Sequence, residues 1–155
     1  MFGKRALFQM KAMTSMAQAQ RNMMLQNQMR YFAVVRKFTK SHEWIELDED
    51  SGIATIGITD HAQGELGDIV HVDLPSIGSE FSKQESISCI ESVKTAADIY
   101  QMCDGEVVEV NEALEDDASL VNADAEGKGW IMKVKMTDKS QMEELLDATA
   151  YKEIS

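Results

Sequence analysis

Acidic residues are missing from the first part of this chain. No Asp or Glu precedes Glu43, while Lys4, Arg5, Lys11, Arg21, Arg30, Arg36, Lys37 and Lys40 all lie there or just beyond Ala33. Proline is nearly absent, with one in 155 residues, and Lys4 to Met29 holds neither proline nor glycine, so nothing in that stretch breaks a helix. No run of about 18 apolar residues occurs, which argues against a helical membrane span. Cysteine is scarce: Cys89 and Cys103 form no CxxC pair and read as two reduced thiols. Aromatics make up only 6%, so the core is expected to rest on Val, Ile and Leu. There is no P-loop, no GxGxxG, no GxSxG and no HExxH, and hence no recognisable catalytic motif.

Other polar features read as ordinary structure. His42, His61 and His71 are scattered and lack zinc-site spacing, so no metal site is expected. Asp60 beside His61 reads as a helix cap rather than half of an acid–base pair. Glu115-Asp116-Asp117 lacks calcium-loop spacing and reads as a solvated acidic loop. The net charge of -12 argues against nucleic acid and suits docking onto basic protein surfaces.

What is present divides the chain in two. Residues 1–32 are basic, acid-free and able to form an amphipathic helix, the composition of a mitochondrial presequence. Arg30-Tyr31-Phe32-Ala33 resembles a matrix-protease cleavage site, which places the start of the mature chain near Ala33. Removing Lys4, Arg5, Lys11, Arg21 and Arg30 would take the net charge from -12 to -17. This predicts a protein of the mitochondrial matrix, with residues 33–155 as its folded domain.

From Trp44 onward, short apolar runs and period-two alternation predict many strands. Strands are expected at Trp44 to Leu47 and Ile53 to Ile58, joined by a turn from Asp48 to Gly52. Thr59 or Asp60 should cap a short helix that ends at Gly67. Asp68 to Leu74 alternates, with Val70, Val72 and Leu74 on one face. Ser86 to Ser92 and Asp98 to Tyr100 should form a hairpin, tightly connected around Val93 to Ala96. Gly105 marks a bend, and Glu106 to Leu114 carries another strand signal. Trp130 to Met136 alternates, with Met132 and Val134 facing away from Ile131, Lys133 and Lys135. A C-terminal helix is expected from Ser140, boxed by Glu143 and carrying Met142, Leu145 and Leu146. Together these predict a mainly β sandwich or barrel. A Lys between two short strands, such as Lys94, should stand at a hairpin tip, although most such lysines are merely solvated.

Five stretches change the reading of that lysine. Ser41-His42-Glu43-Trp44, Ile56-Gly57-Ile58-Thr59-Asp60-His61-Ala62-Gln63, Glu91-Ser92-Val93-Lys94, Gly105-Glu106-Val107-Val108-Glu109-Val110-Asn111 and Gly129-Trp130 resemble the H protein of the glycine cleavage system. They occur in family order from near Arg36 to near Leu146. The resemblance implies a barrel-sandwich hybrid, mainly β, with short helices and a C-terminal helix. It implies lipoate in amide linkage on Lys94, placed there by a lipoate-attaching enzyme. It also implies a shuttle without catalysis of its own. The pyridoxal-phosphate glycine decarboxylase (P protein) loads an aminomethyl group on the arm. The tetrahydrofolate-dependent aminomethyltransferase (T protein) unloads it, and dihydrolipoamide dehydrogenase (L protein) reoxidises the arm.

By the same resemblance, Glu91 and Gly105 match positions tied to recognition by the attaching enzyme. Ser41, Glu43 and Asp98, and more loosely Glu65, match positions lining a cleft for the loaded arm. Gly105 alternatively serves for its backbone freedom alone. One departure stands out: Gln101-Met102-Cys103-Asp104 replaces a family segment rich in Pro and small residues. It is expected beside the Lys94 hairpin and implies a looser loop, with no mixed disulfide from Cys103. Three rival readings remain: a lipoyl domain of a 2-oxoacid dehydrogenase, a biotin carrier, and an H-like lipoyl donor or interaction module. The first usually carries Asp-Lys-Ala and the second Met on both sides of the Lys, whereas this chain has Val93-Lys94-Thr95.

Overall fold

A computed structural model describes residues 17–21 and 34–155. Residues 17–21 are helical. The rest of the stretch expected to form a basic amphipathic helix, and the expected cleavage site at Arg30 to Ala33, lie outside the described residues. Residues 35–155 form one compact unit.

The folded domain consists of two antiparallel sheets. Six strands run in the order β1 (Val34–Phe38), β2 (Glu43–Asp48), β3 (Ile53–Ile58), β9 (Met132–Met136), β8 (Gly105–Val110), β5 (Glu80–Phe81). The second sheet is β4 (Ile69–Asp73), β6 (Ser86–Ser92), β7 (Ala96–Tyr100). Ile45, Ile56, Ile90, Ile131, Met132 and Val134 are fully buried within one core cluster drawn from both sheets. This is the barrel-sandwich hybrid expected. A smaller cluster of Phe38, Trp44 and Tyr151 packs with Trp130 and Leu146. Among the described residues, no helix is long and apolar enough to cross a membrane.

The β2–β3 hairpin follows directly from its sequence. Asp48 Oδ1 accepts from the amides of Asp50 and Ser51, and Gly52 closes the turn at φ +70, a conformation that favours glycine. The register then sets Trp44 opposite Gly57. A Cβ at Gly57 would lie 2.8 Å from the Trp44 ring, so glycine there makes room for the indole. Trp44 Nε1 donates to the Ala125 carbonyl at 3.1 Å, and Arg36 lies over the ring at 4.5 Å.

Four strand and helix expectations are corrected. On β4 the buried residues are Ile69 and Val72, while Val70 is 57% exposed. A register shift between Ile69 and His71 turns the strand, which pattern alone does not reveal. Gly105 is not a bend but the buried first residue of β8, paired with Phe81 and Met136. The β8 strand ends at Val110, where Asn111 Nδ2 donates to the carbonyls of Lys128 and Trp130. Two short helices, Ala113–Asp116 and Leu120–Ala123, follow.

The C-terminal helix does not start at Ser140 with a capping box. Asp138 caps a 3-10 turn, Lys139–Glu144, by accepting from the Ser140 amide. Leu145 is then extended, and Leu146 bridges to Phe38. Asp147 caps the final helix, Ala148–Lys152, whose Tyr151 returns to the interior. Two aspartates with local caps outweigh the helical spacing of Met142, Leu145 and Leu146.

Candidate functional site

Strands β6 and β7 pair through Glu91 with Ala96 and Cys89 with Asp98, which leaves Lys94 at the apex of their turn. Ser92 builds that turn. Its amide donates to the Thr95 carbonyl at 2.8 Å, and its Oγ accepts from the amides of Lys94 and Thr95 at 3.2 and 3.1 Å. Val93 anchors the turn by donating to the Asp68 carbonyl at 2.9 Å. The backbone is therefore held while the Lys94 side chain stands exposed.

The stem of Lys94 crosses the end of helix Asp60–Leu66. Thr59 starts this helix, its Oγ1 accepting from the Ala62 amide, so Thr59 rather than Asp60 is the side-chain cap. Gly67 ends it at φ +78. Lys94 Nζ lies 3.4 Å from the Glu65 carbonyl, a group left free at the helix terminus. A Cβ at Gly67 would sit 2.8 Å from Lys94 Cε. Glycine at this position thus opens the groove in which the lysine stem lies.

From Lys94 a continuous line of contacts reaches Ser41 and Glu43. Glu65 Oε1 lies 3.5 Å from His61 Nε2. The His61 ring packs on His42 with centroids 4.2 Å apart. His42 is flanked by Ser41, whose Oγ donates to Glu43 Oε2 at 2.7 Å, and Thr39 Oγ1 donates to the same oxygen. Glu43 is 5% exposed, a carboxylate set among hydroxyls. Ser41, Glu43 and Glu65 are thus linked through His42 and His61, and of the three only Glu65, by its carbonyl, meets the Lys94 amine. Asp98 does not join them through any such contact; it is exposed on β7 opposite Cys89.

Glu91 is exposed as the penultimate residue of β6, opposite His71 and Ala96. Gly105 lies in the other sheet. A Cβ there would come within 2.5 Å of the Lys135 carbonyl and Val134 Cγ1. Its φ is not among the positive ones, so close packing, not backbone freedom, requires the glycine.

Two residues that sequence reasoning did not single out hold this region together. Asn122 Oδ1 accepts from the Ile69 amide at 2.9 Å, and its Nδ2 donates to Gln63 Oε1 and the Gly67 carbonyl at 2.9 and 2.8 Å. It fastens the helix end under Lys94 to the start of β4. Tyr151 Oη lies 2.8 Å from both His42 Nδ1 and Thr59 Oγ1. Burial pushes the Tyr151 hydroxyl above its ordinary pKa. His42 itself sits at φ +70, and the reading of the histidines as scattered fails for the His42–His61 pair. Only a long-range contact could have disclosed it.

The Gln101-Met102-Cys103-Asp104 departure is not a loose loop beside the Lys94 turn. It follows Tyr100, at the end of the β6–β7 hairpin remote from the turn, and Gln101, Met102 and Cys103 are buried. The Asp104 carboxylate accepts from the Lys83 amide at 2.7 Å and from Gln141 Nε2 at 2.8 Å. Those hydrogen bonds hold its carboxyl below the usual carboxylate range. Both cysteines are free. Burial pushes the Cys103 thiol up to about 12, so it supplies essentially no thiolate at neutral pH.

Comparison with known proteins places these features. Residues 36–155 match the family model described as Glycine cleavage H-protein. The glycine cleavage system H protein of Thermotoga maritima is 49% identical over 119 residues, covering 77% of this chain and 94% of that one. That of Vibrio campbellii is 53% identical over 115 residues, 74% of this chain and 90% of the other. A crystal structure of a glycine cleavage system H protein from Mycobacterium marinum superposes with a TM-score of 0.68 at 38% identity, covering 75% of this chain and 92% of that one. With the family match running through the Lys94 turn and the sheets that carry it, the chain belongs to the glycine cleavage system H-protein family, lipoyl carriers with no catalytic activity of their own.

Proposed function

We propose that Lys94 carries lipoate in amide linkage and that the chain shuttles an aminomethyl group within a mitochondrial glycine cleavage system. The observation that carries this is the exposed Lys94 amine at the apex of a turn whose backbone is pinned by Ser92 and Val93. The groove over Gly67 fits a long unbranched stem and would be filled by any side chain at that position. When attached, the group supplies a disulfide–dithiol pair at the end of a mobile tether, which accepts a one-carbon unit at one partner and yields it at another.

The chain's own residues set the conditions for that transfer. Amide formation removes the Lys94 charge and lengthens a flexible stem, so each encounter with a partner site becomes effectively intramolecular. Glu65, whose carbonyl lies 3.4 Å from Lys94 Nζ, and the Ser41–Glu43 pair linked to it through His61 and His42 would offer oxygen acceptors to an ammonium group. Glu91, exposed near the turn, is available to the lipoate-attaching enzyme, while Gly105 has a packing role of its own.

The partners on this reading are glycine decarboxylase (P protein), the aminomethyltransferase (T protein) and dihydrolipoamide dehydrogenase (L protein). Residues 1–32 serve as a matrix-targeting presequence, their support being the acid-free basic composition. A mature charge of -17 would favour long-range attraction to basic partner surfaces. Reconstitution tests the reading. Glycine decarboxylase supplied with the lipoylated chain should release the glycine carboxyl as carbon dioxide at a rate that rises with the concentration of the chain. Equal release with the unlipoylated chain would refute it.

A further inference from the structure

We propose that His42, His61 and Glu65 form a binding site for a divalent transition-metal ion of the zinc type. One donor atom from each residue lies within 4.8 Å of the other two. Imidazole nitrogens with a carboxylate oxygen are the donor set of open three-ligand zinc sites, with a further position left for water. Tetrahedral zinc with donors at about 2.0–2.1 Å sets neighbouring donors roughly 3.3–3.4 Å apart. His61 Nε2 and Glu65 Oε1 already stand at 3.5 Å. Glu65 is exposed near the end of its helix, so its side chain is free to close on the pair.

Two features distinguish this cluster from a chance stack of rings beside a surface ion pair. First, His42 is pre-oriented. Its Nδ1 is 2.8 Å from Tyr151 Oη, which is 2.8 Å from Thr59 Oγ1. Run in the direction His42 to Tyr151 to Thr59, this relay keeps the proton on Nδ1 and leaves the Nε2 lone pair for a metal. A hydrogen bond from the second ring nitrogen is the usual companion of a metal-bound histidine. Tyr151 is 7% exposed, so the orienting group is itself fixed by the stack on Phe38. Second, His42 holds a left-handed backbone at φ +70, although neither of its neighbours is glycine. The His42 ring packs on His61 from that backbone, a conformation that costs free energy for a non-glycine residue.

All three donors belong to the chain, so the site does not depend on the modification of Lys94. An ion there would engage the Glu65 carboxylate, one of the groups offered above to a loaded arm. Metal occupancy would therefore compete with that use of Glu65, which makes the site a candidate control point for the carrier.

Direct binding tests the proposal. The full chain without lipoate is titrated with Zn2+ against a chromophoric chelator, and separately with Co2+, whose visible absorption reports coordination geometry. One ion per chain is expected. His61→Gln, half-buried on its helix, should weaken binding at least tenfold, and so should His42→Gln and Glu65→Gln. Tyr151→Phe keeps every donor but removes the orienting hydroxyl; weakening of roughly 10–100-fold is expected from loss of an outer-shell partner. His71→Gln and Cys89→Ser should leave affinity unchanged. Circular dichroism checks that each variant folds. Absence of stoichiometric Zn2+ binding by the unaltered chain, or unchanged binding in the folded His61→Gln variant, overturns the proposal.

Discussion

Replacing Lys94 by Arg will reduce glycine-dependent aminomethyl transfer to background without unfolding the protein. Arg retains the positive charge, a long unbranched stem and donors able to reach the Glu65 carbonyl, which Lys94 Nζ approaches at 3.4 Å. What it lacks is an acylatable amine: the guanidinium stays protonated and cannot take the lipoyl group. Because Lys94 is exposed and the turn is built by Ser92 and Val93, the change in stability should stay within about 0.5 kcal/mol. A transfer assay alongside a denaturant titration separates the two effects. Substantial transfer by the variant would refute attachment at this residue, and a large fall in the unfolding midpoint would refute the assignment of the turn's stability to Ser92 and Val93.

The largest expected stability effect lies elsewhere, at Trp44. Its ring is 2% exposed, packs over Gly57, bonds the Ala125 carbonyl at 3.1 Å and lies under Arg36. Trp44→Ala removes the ring and leaves a cavity, for which about 3–5 kcal/mol is expected. It also strands the carbonyl of Ala125, a residue with no exposed surface. Arg36, paired with Glu46 at 2.9 Å, would retain that ion pair, so little of the loss should depend on salt. Equilibrium urea unfolding of Trp44→Ala and of Trp44→Phe, at low and high salt, checks this. A loss below about 1 kcal/mol for Trp44→Ala would contradict the packing described here.

Much of the fold was legible because its signals are local. The strands Ile53–Ile58 and Ser86–Ser92 begin and end where the apolar runs and turn residues place them, and Thr59 and Gly67 bound their helix as capping chemistry requires. Failures came where a distant contact decides. The register shift on β4 buries Ile69 while Val70 is exposed, and nothing in Asp68 to Leu74 announces it. Asp138 and Asp147 cut the expected C-terminal helix into a 3-10 turn and a short helix, because Leu146 is drawn into a bridge with Phe38. Gly105 looked like a bend because its constraint, the Lys135 carbonyl and Val134, lies on another strand.

The site was legible unevenly. The tip position of Lys94 follows from two strand signals around a short polar link, but its significance came from family resemblance, since exposed turn lysines are common. Glu43, Ser41 and Glu65 do share a neighbourhood, linked through His42 and His61. The pairing of those histidines, the Tyr151 hydroxyl between His42 and Thr59, and the three-way hydrogen bonding of Asn122 depend on folding remote segments together.

Mass analysis of protein isolated from its native source tests the central claim most directly. Intact mass with peptide mapping should find a lipoyl-sized addition on the peptide containing Lys94 and none on those containing Lys83 or Lys128. A bare Lys94 in such material, while glycine cleavage still proceeds, would contradict the account.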